Sequence, residues 1–122
     1  MKRNGFTFIE LLVVITIIAV IFAAGVVSYT TISKNSRNAR RSSDMEAIRQ
    51  ALEMCRSIDG EYPALIYPSV TCPLTTTVVT LTTTPLDPKP CPTTTYTYAP
   101  AGGGYTLTAS CYEGGAKSVT NP

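Results

Sequence analysis

Few side chains in this 122-residue sequence are able to do chemistry, and their types narrow the field quickly. There is no His, which removes the commonest general base and the commonest metal ligand. Cys55, Cys72, Cys91 and Cys111 are separated by 17, 19 and 20 positions, with no C-x-x-C, so zinc-finger spacing is absent. Four Cys in so small a chain point instead to an oxidising compartment and two disulfides, with three connectivities open. Gly102-Gly103-Gly104 leads into a strand pattern and not a helix, which does not fit a phosphate-cradling loop, and no G-x-S-x-G elbow occurs. One carboxylate is conspicuous. Glu10 lies inside an apolar run, four residues after Phe6, where an ionised group is costly unless something neutralises it. These features argue against an enzyme, and no metal or cofactor is expected.

The elements that must position Glu10 and the cysteines follow from patterning. From Phe6 to Ser33 the only charged residue is Glu10, and Leu11–Val27 is 17 residues long with Thr16 its only polar member. A run of this length reads as a membrane span or a secretion signal. No Pro occurs before Pro63, and Gly25 is the only Gly between Phe6 and Asp59, so the spacing predicts a helix over Phe6–Asp59. At ~1.5 Å per residue such a helix is roughly 80 Å long, well beyond a bilayer. Its second half carries an apolar stripe, Met45, Ile48, Leu52 and Cys55, with Ala47 and Ala51 beside it. Arg49, Glu53 and Arg56 are spaced for ion pairs along the polar side. Asp59-Gly60 and Pro63 end the helix.

The remainder is Pro- and Thr-rich and poor in large apolar residues, a thin core that benefits from covalent staples. Tyr105, Leu107, Ala109 and Cys111 alternate with polar residues, as do Tyr96 and Tyr98, which predicts a hairpin around a loop Ala99–Gly104. Thr77–Thr82 is a weaker strand candidate, and Tyr62–Leu74 reads as loop. A hairpin centred near Gly102 sets Cys91 opposite Cys111, leaving Cys55 to Cys72, the pairing expected here. Thr fills 14 of the 38 positions from Thr71 to Thr108. This is read as the outer face of short strands in preference to an adhesive or O-glycosylated surface.

Charge adds one constraint and one conflict. Lys2 and Arg3 account for the net +2, and from Phe6 onward 8 basic side chains balance 8 acidic ones. Lys34, Arg37, Arg40 and Arg41 cluster just after the apolar run. They are read as a solvated helix face, with anionic lipid, DNA, or Asp44 and Glu46 of neighbouring helices as the other options. Their position opposes an external C-terminal domain under the positive-inside rule. The cysteines favour that external placement.

Two readings compete for the N-terminus. An ordinary secretory signal fits the basic leader and the small residues Ala23-Ala24-Gly25, with the mature chain starting near Val26. The other reading is a resemblance: Gly5-Phe6-Thr7-Phe8-Ile9-Glu10-Leu11-Leu12-Val13-Val14-Ile15 resembles the prepilin signature of type IV pilins and of the pseudopilins of type II secretion systems. The resemblance implies that a membrane peptidase cuts between Gly5 and Phe6 and methylates Phe6, while the apolar run is retained as anchor and then filament core. It further implies that Glu10 of one subunit meets the Phe6 amine of a neighbour. Ile48–Cys55 followed by Asp59-Gly60-Glu61-Tyr62-Pro63, then Pro85-Leu86-Asp87-Pro88 and Tyr96/Tyr98, are similar to major pseudopilins. The sequence departs from them in lacking the acidic calcium loop near the C-terminus, where Glu113-Gly114-Gly115 stands, so no calcium is expected. It also has Val27 where many pilins have Pro, which leaves Gly25 as the point of helix flexibility.

The expectation is therefore an α+β, type IV pilin-like fold, a long N-terminal helix whose C-terminal half packs on a small antiparallel sheet. The divisions are a removed leader (1–5), an anchoring and filament-core helix (6–28), its amphipathic continuation (29–59) and a disulfide-stapled β-domain (60–122). The expected function is a structural pilin subunit, single-pass in the cytoplasmic membrane with its C-terminal domain outside and then part of an extracellular filament. The expected partners are copies of itself, the prepilin peptidase and the pilus assembly machinery. Nucleic acid and a host surface have no support in the sequence. The alternatives are a pseudopilin of a secretion or DNA-uptake machine and, from a different class, a secreted binding module.

Overall fold

The structure is a computed structural model that describes residues 5–75 and 78–121. Residues 1–4 of the expected leader, and Thr77 of the expected Thr77–Thr82 strand, lie outside the described residues. The element order is α1 (Phe8–Asp59), β1 (Val70–Thr71), β2 (Val79–Leu81), β3 (Thr97–Ala101), β4 (Gly104–Ala109) and β5 (Lys117–Asn121). The fold class is α+β, one long N-terminal helix followed by small antiparallel sheets. The chain forms two compact units, one ending at Lys34 and the other starting at Asn35.

The first unit is the apolar part of α1. Its most apolar 18-residue window has a mean hydropathy of 2.9, long and apolar enough by composition to cross a membrane. The side chains there are exposed within the chain, among them Ile18, Val20, Ile21 and Phe22. An amphipathic helix would hide one side; this one offers apolar atoms all round, the pattern of a helix meant for an apolar surrounding.

The second unit folds around the stripe on α1. Met45, Ile48, Ala51, Leu52 and Cys55 are buried together with Ile66, Val70, Cys72, Tyr96, Tyr105, Leu107 and Ala109. Full burial of a side chain such as Ile48, Leu52 or Leu107 is worth about 1.5–3 kcal/mol. Gly60 leaves the helix at φ +78°, and its N–H still bonds to the Arg56 carbonyl at 2.9 Å. The Asp59 carboxylate then turns to the next loop and accepts from the Leu74 and Thr75 N–H groups at 2.9 and 3.0 Å and from the Thr75 hydroxyl at 2.6 Å.

β3, β4 and β5 form one antiparallel sheet in that order, and β1 pairs with β2 in a second. The β3–β4 register joins Ala101 to Gly104, so the turn is only Gly102-Gly103, with φ +55° and +92°. The expected loop Ala99–Gly104 was too long. Residues 99–101 belong to β3 because β3 is an edge strand, where Pro100 is tolerated. The Tyr62–Leu74 segment, expected as loop, contributes β1, and β5 was not expected at all. Disulfides join Cys55 to Cys72 and Cys91 to Cys111.

Candidate processing and assembly site

The N-terminal site is built by the start of α1. The helix begins at Phe8, two residues later than the apolar pattern alone predicted, because Thr7 caps it. The Thr7 N–H and Thr7 hydroxyl both donate to Glu10 Oε2, at 2.8 and 2.7 Å, while the Glu10 N–H donates back to Thr7 Oγ1 at 3.4 Å. This is a reciprocal capping box, Thr7-Phe8-Ile9-Glu10, in which each partner satisfies an N–H that the first helical turn leaves free. The Leu11 N–H donates to the Thr7 carbonyl at 3.3 Å and starts the helical ladder. Gly5 and Phe6 are exposed and precede the helix, so the Gly5–Phe6 peptide bond is not tied into helical hydrogen bonding. Gly25 sits within α1, and a Cβ added there would meet nothing within 4 Å.

Thr7 is the residue that the sequence reading missed. Its signal is the spacing T-x-x-E at the head of the apolar run.

The basic cluster does not stay together. Arg41 is buried at 1% exposure, its Nε and Nη2 donating to the two Asp87 oxygens at 2.8 Å each. Arg41 also donates to the Lys89 carbonyl and to Asn38 Oδ1, both at 3.1 Å. Arg37 pairs with Glu113, whose backbone N–H and carbonyl bind the Asn38 amide at 2.9 and 2.8 Å. Lys34 and Arg40 remain exposed. The expected solvated face is therefore wrong for Arg37 and Arg41, which clamp the segments around Cys91–Cys111 onto the helix. Burial pushes the Asp87 carboxyl up, but the Arg41 guanidinium and the Lys89 N–H outweigh it and hold the carboxyl below its usual range.

Glu53 likewise departs from the expected helix pairs. It faces the sheet and accepts from the Tyr62 hydroxyl at 3.1 Å and from the Asn121 amide at 2.5 Å, while Arg49 lies 3.8 Å from Glu46. Arg56 donates to the Gly103 carbonyl and stacks over the Tyr62 ring at 5.0 Å. Burial and the Glu53 charge push the Tyr105 hydroxyl up to about 12. Among the described residues no group of three His, Cys, Asp or Glu is placed to hold a metal ion.

Comparison with known proteins gives one match. The prokaryotic N-terminal methylation motif covers residues 1–26. No curated protein and no solved structure matches the chain. The matched segment contains the capping box and most of the exposed apolar helix. The chain thus carries the N-terminal methylation motif that is the signature of type IV pilins and pseudopilins, at the head of an α+β fold consistent with theirs.

Proposed function

We propose that the chain is a structural pilin subunit that polymerises through α1. The observation that carries this reading is an all-round apolar helix that opens, within the N-terminal methylation motif, on a single carboxylate held in a capping box. A peptidase hydrolyses the Gly5–Phe6 bond, methylates the freed Phe6 amine, and leaves residues 6–28 as a membrane anchor with the rest of the chain outside. An assembly machine then draws the helix into a filament core. A positive amine and a carboxylate buried in such a core must neutralise each other. Glu10 of one subunit therefore sits against the Phe6 amine of the next, which sets the axial stagger, and Gly25 is where α1 stretches.

Changing Glu10→Val tests this. Processing stays largely intact, read as methyl-Phe6 by N-terminal sequencing, and filaments are lost. Normal filaments from the variant overturn the pairing, and a wild-type mature chain starting near Val26 overturns the pilin reading itself. The methylation motif is shared with pseudopilins, so a short secretion or DNA-uptake pseudopilus is the second reading. Imaging of surface fibres separates the two.

A further inference from the structure

Threonine on this domain is not accounted for by strand surfaces. That explanation suits Thr80, Thr97, Thr106 and Thr108, which lie on strands. It fails for Thr82, Thr83, Thr93, Thr94 and Thr95, which are exposed and lie in bends and loops between strands. A β-branched residue gains nothing from strand propensity there. Among these five, only the Thr93 hydroxyl has a hydrogen bond among the described residues, to the Thr95 carbonyl at 3.2 Å. Thr84, beside them, behaves differently: it is buried, and its hydroxyl donates to the Ile66 carbonyl.

The two threonine tracts are also held together. The Tyr67 hydroxyl donates to the Pro85 carbonyl and accepts from the Tyr96 N–H, both at 3.0 Å. The Asp87 N–H donates to the Thr94 carbonyl at 2.9 Å. Pro85 and Pro92 flank the tracts, and no charged residue interrupts residues 82–86 or 91–97. Pro-punctuated threonine tracts have the composition of O-glycosylated chain.

We propose that Thr82, Thr83, Thr93, Thr94 and Thr95 are acceptors for O-linked glycosylation of the exported domain. The threonine oxygen attacks the anomeric carbon of an activated sugar phosphate. The bond from that carbon to the phosphate oxygen breaks, the phosphate leaves with the electron pair, and the hydroxyl proton passes to the transferase's base. A neutral sugar suits these tracts better than a phosphoryl group, since neither tract carries a cationic side chain to pair with added negative charge. The inference rests on the pilin reading only in requiring export of the domain.

The test is peptide mapping by mass spectrometry, with fragmentation that preserves side-chain groups, on protein purified from its own cells. Hexose- or hexosamine-sized increments are expected on peptides holding Thr82 and Thr83 or Thr93, Thr94 and Thr95, and none on Thr84. The triple variant Thr93→Val, Thr94→Val, Thr95→Val loses the increment from its peptide and keeps it on the other. Bare threonines in the wild-type protein, or phosphate-sized increments, overturn the proposal. The same digest reports the N-terminus, so methyl-Phe6 with bare threonines sinks the glycosylation and leaves the pilin reading standing.

Discussion

At the residue scale the Arg41–Asp87 pair decides most. A buried guanidinium with two 2.8 Å bonds to one carboxylate is an all-or-nothing arrangement. Removing one partner strands the other charge, whereas replacing both with apolar groups of similar volume does not. Arg41→Ala is therefore expected to destabilise the domain by about 3 kcal/mol, and Arg41→Met with Asp87→Leu to recover most of that loss, both read by urea unfolding. Acid follows the same logic. Asp87 and Asp59 are both held below the usual carboxylate range, Asp59 chiefly by the Thr75 hydroxyl. The folded chain then binds fewer protons than the unfolded one, so these groups add stability above about pH 4 and lose it as pH falls through their lowered values. The urea midpoint is expected to drop on acidification below that point. None of this was legible in the cluster Lys34, Arg37, Arg40 and Arg41, because the partner of Arg41 lies 46 residues away and nothing in the local spacing names it.

At the scale of elements, the helix and the central hairpin were readable and the sheet margins were not. The 3–4 spacing of Met45, Ile48, Leu52 and Cys55 announces a buried stripe, and all four are buried. The alternation of Tyr105, Leu107 and Ala109 likewise marks β4, whose facing residues are buried at those positions. The margins fail for physical reasons. β1 has two residues, too few for any periodicity, and Pro100 masks the edge strand β3 as loop. β5 had a faint signal, Val119 between Ser118 and Thr120 after Gly114-Gly115. The turn itself gives a prediction. Gly102 and Gly103 both have positive φ, and an added Cβ at Gly102 meets nothing within 4 Å, so substitution costs conformation and not space. Gly103→Ala should lower stability by about 1–2 kcal/mol. Gly102→Asn should cost less, since Asn tolerates the left-handed region. Equal losses from the two in urea unfolding would contradict this account of the turn.

At the scale of the molecule the two units differ in surface: the first exposes apolar side chains and the second buries them in a core. The hydropathy pattern divides the chain near residue 28, while the compact unit that contains the core starts at Asn35 and includes Arg37, Asn38 and Arg41. A fragment of residues 35–122 is expected to be soluble and monomeric, to retain both disulfides and to unfold cooperatively, as checked by gel filtration and near-ultraviolet circular dichroism of its tyrosines. A fragment that aggregates, or that shows no fixed tyrosine environment, would mean that the thin core depends on the preceding helix. Composition shows that the chain beyond the apolar run is poor in core residues; it does not show the ion pairs and the tyrosine–glutamate network that supplement the disulfides.

The pairing of Arg37 with Glu113 and of Arg41 with Asp87 has a consequence for the membrane. The two acids come late in the chain, so the sequence before them carries four cations in close succession, and only the completed domain pairs two of them. An anionic surface would therefore meet two different molecules, the unfolded chain and the folded domain. The unfolded chain offers the whole cluster; in the folded chain Lys34 and Arg40 remain exposed, while Arg37 and Arg41 are paired. On the proposed reading, in which the preceding helix is a membrane anchor, folding of the domain would itself weaken the attraction of anionic lipid for this segment.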